Sequence, residues 1–290
     1  MQPTFVLVHG AFANSFSFAP LQAELGLLGH RSVAVDLPGH GFAATYTEAY
    51  QAPQDMAALA SAPGSIKGVT LADNAAHLIG VLERARQNGP VILLAHSRGG
   101  VTVTAAANAR PDLIDRLVYV SAWCPVELDV QDYYAEPEMA SVDPGSLALA
   151  LAGNPAELGL LRVNFRTADP AALAAFRAAF AADATDEEFL TFLNTLQPDE
   201  NLDVGGTADR AQAATWGRIP RTFVRLADDA SMPLAAQDRL IREGDALTPD
   251  NPYDVRTLPG SHLKWLIHPA QAARTLADVA ALDADQNSAK

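Results

Sequence analysis

Three kinds of side chain in this sequence could together carry out acyl transfer. Ser97 lies in the run Val91-Ile92-Leu93-Leu94-Ala95-His96-Ser97-Arg98-Gly99-Gly100, the acidic pair Asp228-Asp229 follows a later β-rich run, and His262 follows the last one. A serine hydroxyl is a poor nucleophile until a base takes its proton, and imidazole is the base suited to neutral pH. A carboxylate then fixes the tautomer of the imidazole and stabilises its charged form. Either aspartate could serve, leaving the other as a solvated or salt-bridged neighbour.

The setting of Ser97 suits that chemistry. The branched residues Val91 to Leu94 read as a buried strand, and a helix starts near Arg98. Ala95 and Gly99, two positions either side of Ser97, are small enough for a tight strand-to-helix turn of the G-x-S-x-G kind. The free N–H groups of the new helix then face the space above Ser97, where an anionic intermediate would form. Any buried strand running into a helix can carry a serine in its turn, so the motif gains weight only from its surroundings.

Those surroundings are alternating strands and helices. Strands are expected at Thr4–Val8, Ser32–Val35, Val91 onward, Leu117–Val120, Thr222–Leu226 and Asp254–Leu258. They are apolar throughout rather than alternating, which argues a parallel sheet covered on both faces. Helices are expected from Ser17 with a cap at Gly29, after Thr70, from Arg98 to Ala109, from Leu234 to Arg242 and from Pro269 to Leu282. A frayed tail should follow from Asp283. In open parallel sheets ligands gather at the C-terminal strand ends, and Ser97, the aspartate pair and His262 all fall there.

Two stretches depart from the pattern. Residues 42–68 fit neither period and read as a long surface excursion with at most a short helix. From 125 to 217 no strand is expected. Helices dominate, with Asp169-Pro170 as one start and the capping box Thr185 to Glu188 as another. The expected organisation is therefore an α/β core formed by residues 1–124 and 218–290, with 125–217 inserted as a helical cap. The cap and the excursion together should line the pocket.

Composition narrows the classes of partner. With 290 residues and 49% hydrophobic content the chain can bury a sizeable core. A formal net charge of −14 argues against nucleic-acid and anionic-membrane binding. Cys124 is the single cysteine, which excludes an internal disulfide and a multi-cysteine metal site. It reads as a small buried hydrophobe. The start Met1-Gln2-Pro3 enters a strand without a basic, apolar leader, and no apolar run is long enough to span a bilayer, so a cytoplasmic location is expected.

His9-Gly10-Ala11, Asp36-Leu37-Pro38-Gly39-His40-Gly41, His96-Ser97-Arg98-Gly99-Gly100 and Gly260-Ser261-His262 together resemble the α/β-hydrolase fold. More narrowly they resemble the plant methylesterase and hydroxynitrile lyase group and its bacterial relatives. The order Ser, Asp, His is also that of the family. The resemblance covers nearly the whole chain. It implies Ser97 as nucleophile, His262 as base and Asp229 as the acid, since several relatives place the acid four residues before a proline, here Pro233. It further implies an oxyanion hole made by the backbone N–H groups of Ala11 and Arg98.

Arg98 stands where relatives often have Met or Leu. Its side chain should form an ion pair with a nearby acidic loop residue or, alternatively, meet an anionic part of the substrate. Among the other histidines, His9 and His96 are expected to make structural hydrogen bonds and His268 to start a helix, while His30, His40 and His77 carry no signal. In the lyase branch a lysine follows the catalytic histidine and a threonine follows the histidine of the first loop. Leu263 and Gly10 occupy those positions here, and Lys264, in an extended loop, should point away.

The expected fold is thus α/β, a mostly parallel six-stranded sheet with helices on both faces and an inserted helical cap. The expected activity is serine-dependent hydrolysis of a carboxylic ester, with a lactone or thioester left open, and without metal or organic cofactor. A small-molecule ester is the expected partner, and a homodimer is left open. Lyase or C–C bond-cleaving chemistry on the same triad is the rival enzyme class, and a non-catalytic small-molecule receptor is the rival outside enzymology.

Overall fold

A computed structural model describes residues 2–143 and 145–288, with side chains to residue 282. The strands are β1 Thr4–Val8, β2 Arg31–Val35, β3 Val91–Ser97, β4 Arg116–Ala122, β5 Leu161–Arg162, β6 Asp199–Glu200, β7 Arg221–Leu226 and β8 Asp254–Leu258. The helices in the first half are α1 Ala19–Leu27, α2 Met56–Leu59, α3 Leu71–Arg86, α4 Gly99–Ala109, α5 Val130–Tyr133 and α6 Pro155–Leu158. Those in the second half are α7 Pro170–Phe180, α8 Asp186–Leu193, α9 Leu234–Leu247, α10 Lys264–Ile267 and α11 Ala270–Ser288.

The main sheet has six strands in the order β2-β1-β3-β4-β7-β8, and every pairing in it is parallel. Alternate residues of the central strands feed two apolar layers. Val6, Val8 and Leu93 pack with Leu78 and Leu82 of α3, Val103 of α4 and Leu240 of α9. Phe5, Leu7, Ile92 and Leu94 pack with Leu21 and Leu25 of α1 and with Leu276 and Val279 of α11. Continuous hydrophobic runs are therefore confined to strands covered on both faces. The edge strands β2 and β8 alternate between more and less exposed positions instead.

The expected capping signals are in place. Thr70 and Asp73 form a reciprocal capping box at the start of α3, and Thr185 and Glu188 form another at α8. Asp169 accepts from the Ala172 N–H ahead of Pro170. Cys124 is buried, and burial pushes its thiol pKa up. Among the described residues no helix is long and apolar enough to cross a membrane.

Four expectations need correction. α9 runs on to Leu247, and the backbone of α11 is helical to Ser288 rather than frayed from Asp283; residues 289 and 290 lie outside the described residues. The 125–217 segment does contain strands. Leu161–Arg162 pairs antiparallel with Asp199–Glu200, and Leu151 bridges to Val163. Strands of two residues are too short to show a period, and the pairing is reinforced by a buried bidentate ion pair of Arg162 with Asp199, at 2.5 and 2.6 Å. Finally, residues 42–68 pack on the outside of this ladder. The Arg162 guanidinium donates to the carbonyls of Leu59 and Ala62, each at 2.7 Å, and Gln54 exchanges amide bonds with Asn164, each at 2.9 Å.

The β3–α4 turn is also tightly packed. A Cβ on Gly99 would lie 2.5 Å from the His9 carbonyl oxygen and 2.8 Å from that of Val8, both fixed backbone atoms. Alanine is ordinarily the better helix residue by about 1 kcal/mol. Here Gly99→Ala should instead lower stability by about 1–3 kcal/mol through overpacking. Urea unfolding measures the sign directly, and a stabilised variant would contradict this packing.

Candidate active site

Ser97 ends β3 with a left-handed backbone, φ 52°, and Arg98 (φ −55°) turns the chain into α4. A non-glycine residue in that region is strained and persists only when its surroundings hold it there. Those surroundings are glycines and backbone. A Cβ on Gly10 would lie 2.8 Å from the Ser97 Cβ, so the His9–Ala13 loop can approach the serine only with glycine at this point.

Asp229 and His262 come together beside this turn. The His262 Nδ1–H donates to Asp229 Oδ2 at 2.5 Å, and the Ser121 hydroxyl donates to the same oxygen at 2.7 Å. The other oxygen, Oδ1, accepts from the Ser231 N–H at 2.8 Å, the Ser231 hydroxyl at 2.9 Å and the Met232 N–H at 2.9 Å. Burial favours the protonated acid. The charge of His262 and the hydrogen bonds from His262, Ser121 and Met232 outweigh it, and the Asp229 pKa is held below its ordinary value. Asp228 faces elsewhere, accepting from the Gly260 N–H at 2.9 Å. Of the pair, Asp229 is the one hydrogen-bonded to His262.

Ser121 is a residue that sequence reasoning missed. The β3–β4 register shifts between His96 and Ser97, so that Ser97 pairs with Ala122 and Ser121 is left over with φ 38°. Such a bulge re-aims a side chain, here toward Asp229. Its only sequence trace is a polar residue near the end of an otherwise apolar strand.

The histidines divide as expected, with His40 as the exception. The His9 Nε2 accepts from the Leu37 N–H at 3.3 Å, so its Nδ1 carries the proton and donates to the Gly10 carbonyl at 2.9 Å. Burial, helped by nearby His40, lowers the His9 pKa to about 3. His96 stacks on His262 with ring centroids 4.4 Å apart and is held well below its ordinary pKa by burial and by His262. It makes the expected structural hydrogen bond with the His262 backbone, while its Nε2 has no partner among the described residues. His40, which carried no signal, is buried with Nε2 3.3 Å from Glu200 Oε2.

Glu200 is the second residue missed. Its Oε2 also accepts from the Phe12 N–H at 2.8 Å, and its Oε1 lies 3.6 Å from the Arg98 guanidinium. Burial would raise its pKa, but the Arg98 charge, His40 and the Phe12 N–H bring it down to about 2. The Arg98 side chain is occupied within the chain. It donates to the carbonyls of Asn201 at 2.7 Å and Asp203 at 2.6 Å, and to Asn201 Oδ1. Its acidic partner is Glu200 of β6, and Arg98 also lines the cavity that holds Ser97. In the loop after β1, Glu200 takes the Phe12 N–H and the Gly10 carbonyl takes the Ala13 N–H at 3.4 Å. Ala11 lies between these bonded residues and lines the same cavity as Ser97.

A cavity of about 730 Å³ joins these parts. Ala11, Ser97, Arg98, His262 and Leu263 line it with an apolar wall that includes Trp123, Phe165, Phe180, Phe189 and Phe192. Much of that wall comes from the 125–217 segment. None of residues 42–68 lines it, contrary to expectation, because the excursion is held outside the β5–β6 ladder. Lys264 begins α10 rather than continuing an extended loop, yet it still faces away, donating to the Asp183 carbonyl at 3.1 Å. His268 caps the end of that helix and pairs with Glu188 at 2.6 Å.

Residues 5–279 match the family model described as the alpha/beta hydrolase family. The chain belongs to the alpha/beta hydrolase family. It is similar to a pyrethroid hydrolase of Sphingobium wenxiniae, 25% identical over 276 residues covering 95% of this chain and 86% of that one. It is also similar to methylesterase 9 of Arabidopsis thaliana, 29% identical over 138 residues, 48% of this chain and 47% of that one. In fold it resembles the crystal structure of a pyrethroid hydrolase from Sphingobium faniae, with TM-score 0.72 and 24% identity, covering 98% of this chain and 99% of that one.

The buried histidines have a consequence for stability. Unfolded histidine titrates near about 6.5, whereas native His9 and His96 stay neutral well below that. Below about pH 6.5 the unfolded chain thus binds protons that the native state refuses, and stability must fall, by up to about 1.4 kcal/mol per pH unit for each histidine. Asp229 and Glu200, whose native pKa values are depressed, add stability that is lost at still lower pH as each is protonated. Urea unfolding between pH 7 and pH 5 should show this slope, and His9→Gln should reduce it by about half. An unchanged slope in His9→Gln would contradict a neutral native His9.

Proposed function

We propose that the protein is a serine hydrolase that cleaves carboxylic esters through an acyl-enzyme, with Ser97 as nucleophile, His262 as base and Asp229 as the acid that orients it. The observation that carries this reading is the left-handed Ser97 in one apolar cavity with His262, whose Nδ1 is held by the fully bonded carboxylate of Asp229. With Nδ1–H committed to Asp229, the His262 Nε2 is free to take the Ser97 proton as Oγ attacks the carbonyl. The developing oxyanion is received by the N–H groups of Ala11 and Arg98. The alcohol leaves with the proton from His262, and water, activated by the same histidine, releases the acid.

The surroundings favour this cycle. Asp229, kept ionised, stabilises the imidazolium of His262, and neutral His96 stacked on that ring adds no second positive charge. In this reading the 125–217 segment is a cap that supplies the apolar wall and excludes water from the oxyanion. The names of the relatives, pyrethroid hydrolase and methylesterase, agree with an ester as substrate.

Cyanohydrin cleavage on the same residues would need a cation beside the base to receive cyanide. The Lys264 ammonium is directed to Asp183, and the Arg98 guanidinium is engaged by Glu200, Asn201 and Asp203. Gly10 and Leu263, rather than threonine and lysine, flank the site. Ester hydrolysis is therefore favoured over the lyase reaction.

The test is one assay series on wild type and Ser97→Ala with p-nitrophenyl esters of graded chain length and with mandelonitrile. Wild type should hydrolyse the esters and release no cyanide above the buffer rate. Ser97→Ala should lose kcat by roughly a millionfold, as in serine hydrolases whose nucleophile is removed. A Ser97→Ala variant keeping a tenth of the activity, or Ser97-dependent cyanide release without ester turnover, would overturn the assignment.

A further inference from the structure

We propose that Glu200 is a positioning residue for the oxyanion hole, fastening both halves of it from the 125–217 segment; this rests on the hydrolase reading above. The two halves come from separate parts of the chain, the loop after β1 and the β3–α4 turn, which the β1–β3 pairing and the close approach of Gly99 to the Val8 and His9 carbonyls hold together at their base. Glu200 bridges them. Its Oε2 accepts from the N–H of Phe12, the residue next to the Ala11 donor, at 2.8 Å. Its Oε1 faces the guanidinium of Arg98, the residue that carries the other donor, at 3.6 Å.

Two features separate this from an ordinary buried ion pair. Phe12 has φ 59°, a left-handed backbone unusual for an aromatic residue, and the bond to Glu200 fixes its N–H in that conformation. The carboxylate is also held on its own side. Its Oε1 accepts from the Asn201 N–H at 2.9 Å, and it sits in β6 beside the Arg162–Asp199 pair, so it is a rigid post rather than a mobile side chain. The neighbouring bond from the Gln197 N–H to the Phe12 carbonyl, at 2.9 Å, joins the same loop to the same segment from its other side. Seating of the segment and geometry of the oxyanion hole are thereby a single structural event.

A positioning role predicts a loss specific to tetrahedral species. An aryl trifluoromethyl ketone adds the serine to give an oxyanion adduct. The methyl ketone of the same skeleton is the ground-state control that stays unadded. Glu200→Ala should lower kcat/KM for p-nitrophenyl butyrate by about tenfold to a hundredfold, less than the 10²–10³ typical of deleting a donor outright. It should weaken the trifluoromethyl ketone by a similar factor and leave the methyl ketone within about twofold. Glu200→Gln keeps an acceptor for the Phe12 N–H and loses the charge facing Arg98. It should show the same selectivity at about threefold to tenfold, and it decides the question if the alanine variant does not fold. Equal weakening of both ketones, or no loss in either variant, would overturn the proposal. Ser97→Ala measured alongside keeps the two readings apart. If it is inactive while the Glu200 variants are unaffected, only the present inference fails; if it is active, the hydrolase reading itself fails.

Discussion

The left-handed backbone at Ser97 is the constraint on which the rest of the structure depends. A serine held at φ 52° between a buried strand and a helix needs bare backbone on every side. Gly10 lets the first loop reach it, Gly99 lets α4 start against the carbonyls of Val8 and His9, and Gly100 faces the backbone of Trp123. The neighbouring strand answers with its own irregularity, the Ser121 bulge that sends a hydroxyl to Asp229. The irregular backbone at Ser97 is thus matched at the ends of β1 and β4, and the side chains that could act on a substrate follow the ends of β3, β7 and β8.

The second theme is the handling of charge in an apolar cavity. Asp229 and Glu200 are buried carboxylates, and each stays ionised because its oxygens are bonded by several donors. His9 and His96 are the opposite case, buried rings kept neutral by desolvation. The result is a site in which the stacked partner of His262 contributes no repulsion to a developing imidazolium. The same arrangement makes the fold sensitive to acid, since protons excluded from the native state drive unfolding.

Much of this was legible in the sequence because it is local or periodic. All six strands of the main sheet, the capping boxes at Thr70 and Thr185 and the Asp169-Pro170 start stand where pattern places them. The pairing of Asp229 rather than Asp228 with His262 agrees with the choice based on Pro233. What escaped is tertiary. The β5–β6 ladder is too short for a period and depends on a buried Arg162–Asp199 pair that sequence shows only as scattered charges. The 42–68 excursion was expected at the pocket, but two guanidinium bonds to its carbonyls hold it on the far side of that ladder. Glu200 lies in no motif and His40, although inside the Asp36–Gly41 motif, gave no sign of its own role, since their partners are far away in the chain.

The most direct test of the assignment of Ser97 is covalent trapping. The folded protein is treated with an alkyl fluorophosphonate, which requires both an activated serine and an oxyanion hole, and is analysed by intact mass and peptide mapping. One adduct per chain is predicted, on the peptide carrying Ser97, absent in Ser97→Ala and absent when the protein is unfolded before treatment. Labelling of another residue, or equal labelling of wild type and Ser97→Ala, would contradict Ser97 as the nucleophile.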